Sequence, residues 1–364
     1  MKLTTQQKNL RQALHRVEKI ISRNVALPIL YNVLLKTENG RLKIAATNLE
    51  VGITTWIGAK IDETGEIAIP ARVLSDFVNI VSEDTVTLTT KNNSVFINSA
   101  AYKTQILGHD THEYPIIPKI KSDPLCTLPV AALRAALTAT ADSIAISETR
   151  PELAGLFFSF LGGEIVFSAT DSFRLVEKKV NFPHTQRQTV IIPRNTVLEL
   201  LHLTGELEGE LEIRVGDNQI SFTNNEVELI SRLIDGVYPD YTKVIPEKII
   251  SKALISRNEL EKHIRLAGLF SSSIADIHLS CEENTLHISA KNSEKGEVQT
   301  TIPAVLKNEP FGVSLNFNYF LDGLKIINTD KVVIEFTGNG SPLVLRPHSD
   351  QKDLVYLVMP LRHS

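Results

Sequence analysis

Leu42-Lys43-Ile44-Ala45-Ala46-Thr47-Asn48 is an alternating run that ends in a small polar turn, and the chain carries it three times. It returns as Ile165-Val166-Phe167-Ser168-Ala169-Thr170-Asp171 and as Leu286-His287-Ile288-Ser289-Ala290-Lys291-Asn292. Thr47, Thr170 and Lys291 hold equivalent places, 123 and then 121 residues apart. Other landmarks keep the same pace. EIAIPARVLSDFVNIV from Glu66 is echoed by TVIIPRNTVLELLHL from Thr189 and PFGVSLNFNYFLDGLKII from Pro310. TVTLTTKNNSVFI from Thr85 is echoed by ELEIRVGDNQISF from Glu210 and KVVIEFTGNGSPLVL from Lys331. A proline-bearing strand is expected to close each copy, at Tyr114-Pro115, Tyr238-Pro239 and Met359-Pro360. A period of domain size divides the 364 residues into three tandem domains, 1–122, 123–248 and 249–364.

Each copy reads as helix, strands, helix, strands, an α+β pattern. The first helices span about Thr5–Ser22, Val130–Ser143 and Arg257–Ser271, and the second helices about Ala71–Val81, Arg194–Leu203 and Phe317–Ile327. Thr5 is the expected N-cap of the first helix, and Ser256 with Glu259 forms a capping box. The two halves of a copy look alike, which predicts a doubled unit inside each domain. Lys8, Arg11, His15 and Lys19 recur at helical spacing on one stripe, opposite Leu10, Leu14, Val17 and Ile21. Lys262 and Arg265 repeat the arrangement in the third copy, and the second helices add Arg72, Arg194 and Lys325. A single stripe of this kind is usually just a solvated face. Its recurrence on equivalent helices favours a functional one.

Net charge is −4, unevenly spread. Residues 1–122 carry 15 Lys/Arg against 11 Asp/Glu, residues 123–248 carry 11 against 18, and residues 249–364 carry 12 against 13. The polar start, Met1 to Leu10, is not a secretory leader, and no apolar run reaches the ~18 residues of a membrane span. Cys126 and Cys281 fall in different copies, which argues against a disulfide framework and for a reducing, cytoplasmic setting.

The familiar chemistries are missing. No phosphate-cradling glycine loop, zinc spacing or nucleophile elbow occurs. His109, Asp110, His112 and Glu113 read as a polar connection rather than a metal loop. Asp171 after a strand reads as the cap of the turn that follows. Neither a catalytic constellation, a cofactor nor a metal is expected. An alternative is a nuclease built on Asp171, Glu177 and His184, and another is a repeat scaffold that never meets DNA.

Ala26-Leu27-Pro28-Ile29-Leu30 followed by Asn32, then AATNLE from Ala45, SATDSFRLV from Ser168, GVYPDYTKVIP from Gly236 and YLVMPLR from Tyr356 resemble the bacterial DNA polymerase III beta subunit family, the sliding clamps. The resemblance runs the whole chain in order. It implies a head-to-tail homodimer ring of DNA-clamp domains, helices inside and antiparallel sheets outside, through which duplex DNA threads without sequence readout. It further implies a non-catalytic subunit of the DNA polymerase III holoenzyme that confers processivity. Its partners would be the polymerase III alpha subunit, the clamp loader, and other polymerases and repair proteins carrying clamp-binding peptides; no membrane partner is implied.

The implied peptide pocket takes Arg150, Leu153, Thr170, Ser172, Phe173, Arg174, Leu175, Pro239, Lys243 and Val244 from the second domain. The third domain adds Ile274, Asn316, Tyr319, Gly340, Pro342, Leu343, Val358, Met359, Pro360, Leu361 and Arg362. Implied DNA contacts are Lys8, Arg11, Lys19, Arg23, Arg72, Arg194, Lys262, Arg265 and Lys325. The implied dimer interface sets Tyr102, Lys103 and Ile106 against Leu269, Phe270, Glu294 and Glu297. Two features depart from the family: Ser172-Phe173 stands where members often have Gly-His, and His363-Ser364 extend the usual end.

Overall fold

Residues 1–21, 27–147, 149–182 and 187–361 are described by the structure, a computed structural model. Among them the elements fall into six β-α-β-β-β units, two per repeat. The first repeat runs β1 (Lys2–Gln6), α1 (Gln7–Glu18), β2 (Asn32–Glu38), β3 (Arg41–Thr47) and β4 (Val51–Gly58). A short β5 (Lys60–Glu63) follows, then β6 (Glu66–Pro70), α2 (Ala71–Ile80), β7 (Thr85–Lys91), β8 (Ser94–Asn98) and β9 (Lys103–Leu107). The second has β10 (Cys126–Pro129), α3 (Val130–Thr140), β11 (Gly155–Leu161), β12 (Glu164–Thr170) and β13 (Arg174–Asn181). Its second unit is β14 (Arg187–Pro193), α4 (Arg194–Thr204), β15 (Glu210–Val215), β16 (Gln219–Thr223) and β17 (Val227–Arg232). The third has β18 (Ser251–Ser256), α5 (Arg257–Gly268), β19 (Asp276–Glu282), β20 (Thr285–Asn292) and β21 (Gly296–Asn308). It closes with β22 (Phe311–Asn316), α6 (Phe317–Lys325), β23 (Lys331–Phe336), β24 (Leu343–Pro347) and β25 (Leu354–Val358).

Within a unit, strands two to four form an antiparallel meander. The first strand leaves it and pairs with the meander of the other unit of the same repeat. So β1 pairs with β7 and β6 with β2; β10 pairs with β15 and β14 with β11; β18 pairs with β23 and β22 with β19. The fourth strands then join one repeat to the next. β17 lies against β4, with Leu229 opposite Ile53, and β13 lies against β25, with Val176 opposite Tyr356. The results are five-, eight- and twelve-stranded antiparallel sheets.

The chain packs as two compact bodies, Met1–Arg134 with Asn195–Leu233, and Ala135–Arg194 with Ile234–Ser364. The second repeat contributes to both. In the first body, α1 buries Leu10, Ala13, Leu14 and Val17 and packs against β3, β4 and α2. In the second, α5 buries Leu260, Ile264 and Ala267 beside α6 and the β20–β21 hairpin. The apolar stripes spaced three and four apart account for both contacts. At the hairpin turns Asn92-Asn93 and Glu283-Asn284 both residues adopt positive φ, the geometry that matches the twist of the flanking strands. Both cysteines are buried and free, and burial pushes each thiol up to about 11.

Four local expectations change. Thr5 is not a helix cap: residues 2–6 alternate in burial as a strand, and the Thr5 hydroxyl donates to the Gly58 carbonyl at 2.8 Å. The helix starts at Gln7 and ends at Glu18, so Ile20 rather than Ile21 is buried beyond its end. Ser256 sits at the N-cap without a side-chain bond, and Glu259 instead accepts from Lys262 at 2.8 Å. The proline-bearing closers are not strands: Tyr114-Pro115, Tyr238-Pro239 and Met359-Pro360 lie in irregular segments, since proline has no N–H to give a ladder. Tyr114 anchors the first of these by donating to the carbonyls of Ala45 and Asn32, at 3.2 and 3.3 Å.

Candidate functional site

The second body contains a cavity of about 290 Å³ beside the β13–β25 junction. Its floor is core. Leu175 on β13 and Leu357 on β25 are register partners, and with Leu153, Tyr238, Tyr241 and Val344 they belong to one buried cluster. Tyr238 stacks on Phe157 with ring centroids 4.9 Å apart, and the Tyr241 hydroxyl donates to the buried Glu177 carboxylate at 2.8 Å. That bond fixes the Tyr241 ring in the cavity wall and gives Glu177 a structural partner. Leu153 and Leu175 are therefore core and cavity lining at once.

The rim is polar. Arg150, Thr170, Ser172, Arg174 and Asp240 surround Pro239, Val244 and Met359. Asp171 accepts from the backbone N–H groups of Phe173 and Arg174 at 2.9 and 3.0 Å, the turn cap read from the sequence. Arg174 is fully engaged: it pairs with Asp171 at 2.9 Å, with Asp322 and with the Asp142 carbonyl, and it lies 4.7 Å over the Tyr319 ring. Arg150 is exposed and, among the described residues, pairs with Glu152 at 3.3 Å. The Thr242 hydroxyl and Lys243 hold the Asp240 carboxyl below its usual range. Ser172 has φ 78°, a conformation glycine adopts without penalty.

Nine of the implied pocket residues line this cavity: Arg150, Leu153, Thr170, Ser172, Arg174, Leu175, Pro239, Val244 and Met359. Others gather around the start of α6. Phe173, 59% exposed, stacks on Tyr319 with centroids 6.2 Å apart. Asn316 caps α6 by accepting from Asn318 N–H at 2.9 Å and donates to the Ile274 carbonyl at 3.2 Å. Met359 and Leu361 bond by their backbone N–H to the carbonyls of Phe173 and Ser314, at 2.8 Å each, which sets Pro360 between the two groups. Lys243 points to solvent beside Asp240. Gly340 and Pro342 form the β23–β24 turn. Leu343 and Val358 are register partners in the core, and Val358 faces away from the cavity because strand side chains alternate and Leu357 and Met359 already face it. Arg362 and Arg23 lie outside the described residues, as does His184. Asp240, Tyr241 and Leu357 complete the lining and were missed. The same alternation that brings in Met359 points to Leu357.

The basic positions divide by their neighbours. Lys8 and Arg11 are exposed on α1 with no ion pair among the described residues, and Lys19 Nζ donates to His202 Nδ1 at 2.9 Å. The other exposed cations are compensated: Arg72 by Asp76 at 3.9 Å, Lys262 by Glu259 at 2.8 Å, Arg265 by Glu261 at 2.8 Å, and Lys325 by Asp142 at 2.8 Å. Arg194 is half-buried at the start of α4. On β9, an edge strand paired only with β8, Lys103 is exposed and Ile106 is buried at 5%, while Leu107 is 70% exposed. Tyr102 and Leu269 are exposed too, Phe270 is half-buried, and Glu294 and Glu297 lie at and beside the exposed start of β21.

Profiles for the N-terminal, central and C-terminal domains of the DNA polymerase III beta subunit match residues 1–118, 127–240 and 242–362. The beta sliding clamp of Staphylococcus aureus is 29% identical over 357 residues, covering 94% of each chain. The crystal structure of a DNA polymerase sliding clamp from Bacillus subtilis superposes with a TM-score of 0.96 at 26% identity, and the DNA polymerase III subunit beta from Pseudomonas aeruginosa with 0.95 at 27%; both cover all of each chain.

The left-handed serine yields a direct test. Its side chain makes no hydrogen bond among the described residues, so Ser172→Gly relieves strain without removing a partner. The gain is about 0.5–1 kcal/mol once glycine's extra unfolded-state entropy is counted. Urea unfolding of the variant should show a raised midpoint; an unchanged or lowered one means the turn is not strained.

Proposed function

The chain belongs to the DNA polymerase III beta subunit family, and from that premise we propose that two copies close head to tail into a ring around duplex DNA. It is a sliding clamp: a processivity factor for DNA replication that tethers a polymerase to its template. The observation that carries the ring is the pairing of fourth strands. β17 with β4 and β13 with β25 join consecutive repeats, which leaves β9 and one half of β21 unmatched. Residues 304–308 of β21 pair with β18, whereas residues 296–303 pair only with β20. The β4–β5 segment of the first repeat has the same division of labour, β5 pairing with β1 and β4 with β17. By that analogy β9 of one copy adds to β21 of the other. Lys103 then meets Glu297, and Leu107 and Tyr102 meet the exposed Leu269. An interface of this kind is heterologous and closes at two copies, and it covers edge strands that otherwise invite uncontrolled pairing.

The domain limits 1–122, 123–248 and 249–364 follow the repeats and fit this reading. The apolar cavity with its polar rim suits a short extended peptide with buried leucine-type anchors, each worth about 2 kcal/mol when fully buried. Its occupants would be clamp-binding segments of the polymerase III alpha subunit, the clamp loader, and other polymerases and repair proteins. A clamp needs no chemistry of its own, which suits a non-catalytic holoenzyme subunit, and two buried free thiols suit a reducing cytoplasm. Glu177, one leg of a nuclease alternative, is spent on Tyr241. DNA attraction would come from cations at helix surfaces. They supply affinity without reading bases, so a net acidic chain is no obstacle.

Two experiments check these surfaces. Lys8→Glu with Arg11→Glu should flatten the slope of log K against log salt by about 0.9 for each phosphate that is no longer neutralised. It should do so more than the same change at Lys262 and Arg265, whose charges are already neutralised within α5. An unchanged slope places the DNA surface elsewhere. Removing residues 359–364, or introducing Val244→Asp at the rim, should abolish the calorimetric signal of a glutamine-and-leucine clamp-binding peptide while dimerisation persists. Equal affinity in wild type and both variants refutes the cavity as the peptide site.

A further inference from the structure

The C-terminal end of α1 meets the end of α4 in the first body, and three side chains with metal-ligating atoms converge there. His15 Nε2 lies 3.4 Å from Glu206 Oε1, and His202 Nε2 lies 3.6 Å from the same oxygen. One ligand atom from each residue falls within 4.8 Å of the others, and the imidazole rings meet edge to face with centroids 5.0 Å apart. We propose that His15, His202 and Glu206 form a Zn²⁺ site linking the first and second repeats.

Spacing is the main argument. At Zn–N and Zn–O distances near 2 Å, tetrahedral geometry sets neighbouring ligand atoms about 3.4 Å apart. The two His–Glu separations already match that figure, so a small closing of the His15–His202 gap admits the ion. Three protein ligands leave a fourth position for water. The surroundings fit as well. Glu18 Oε1 lies 3.4 Å from His15 Nδ1, the nitrogen turned away from the site, in the carboxylate–histidine arrangement that orients ligating imidazoles. His202 Nε2 is buried without a hydrogen-bond partner among the described residues, and a polar atom left so in a native interior needs an explanation.

Two neighbouring cations oppose binding. Arg16 Nε lies 3.5 Å from Glu206 Oε2 and competes for that carboxylate. Lys19 Nζ sits 2.9 Å from His202 Nδ1. Coordination through Nε2 puts the imidazole proton on Nδ1, facing an ammonium, so Lys19 must swing away when the ion enters. Metal loading therefore releases a cation that the stripe on α1 can use. His15 and His202 are 187 residues apart in the chain, on helices of different repeats, so no ligand-spacing motif reveals the pair.

The test uses the full-length, tag-free chain with Zn²⁺ in calorimetry and Co²⁺ in visible absorption. Wild type should bind one Zn²⁺ per chain, give the intense absorption of four-coordinate Co²⁺, and unfold at a higher temperature with Zn²⁺ present. His202→Gln and Glu206→Gln should each weaken binding by about tenfold or more and lose the thermal shift. His15→Gln, at an exposed position, serves if either of these fails to fold. Lys19→Met should tighten binding. No bound metal, or an affinity unchanged in the histidine and glutamate variants, leaves the cluster a plain ion-pair network and overturns the site.

Discussion

Every sheet in this protein is completed by a strand from elsewhere, and that requirement to satisfy edge backbone groups shapes the rest. A lone four-residue or five-residue strand has no stability of its own. Here the first strand of each half-repeat finds its partners in the other half, so the two halves of a repeat fold as one unit. The fourth strands apply the same rule between repeats. A continuous ladder from β14 to β22 carries the cavity, because the β13–β25 step brings Leu175 and Leu357 side by side and leaves Arg174 to be neutralised by Asp171 and Asp322. Where the rule leaves β9 and the start of β21 unmatched, a second copy is the economical way to meet it.

The electrostatics follow the same plan. Charge is not spread to make a basic protein. It is placed on helix faces, and on α5 each cation has a carboxylate three or four residues away, at Glu259 and Glu261. Such exposed pairs add little stability, but they lower the field a phosphate meets. Lys8 and Arg11 on α1, by contrast, have no ion pair among the described residues. A ring that must slide gains from a weak, graded field, since tight fixed contacts would give register and stop motion.

Much of this was legible in the sequence, for identifiable reasons. The three-fold repeat comes from strand patterns such as Leu42–Thr47, whose counterparts Ile165–Thr170 and Leu286–Lys291 all form strands. Helix existence was legible from stripes such as Leu10, Leu14 and Val17. Helix ends were not: Thr5 looks like a cap, yet a tertiary partner at Gly58 draws it into a strand. The cavity was legible only through resemblance, because Leu153, Leu175 and Tyr241 are also ordinary core residues, and pattern alone cannot tell a wall from a filling. Tyr241 and Leu357 were missed on that account. The cluster at His15, His202 and Glu206 had no sequence signal at all, since it depends on two helix ends meeting across repeats.

The central claim is that β9 and β21 close two chains into one ring. Sedimentation equilibrium at sub-micromolar protein tests it most directly, on wild type and on a chain carrying Leu269→Ala and Phe270→Asp. The account predicts a wild-type mass of twice 40.4 kDa and a folded variant at 40.4 kDa. A monomeric wild type, or a variant that dimerises as tightly as wild type, would contradict it.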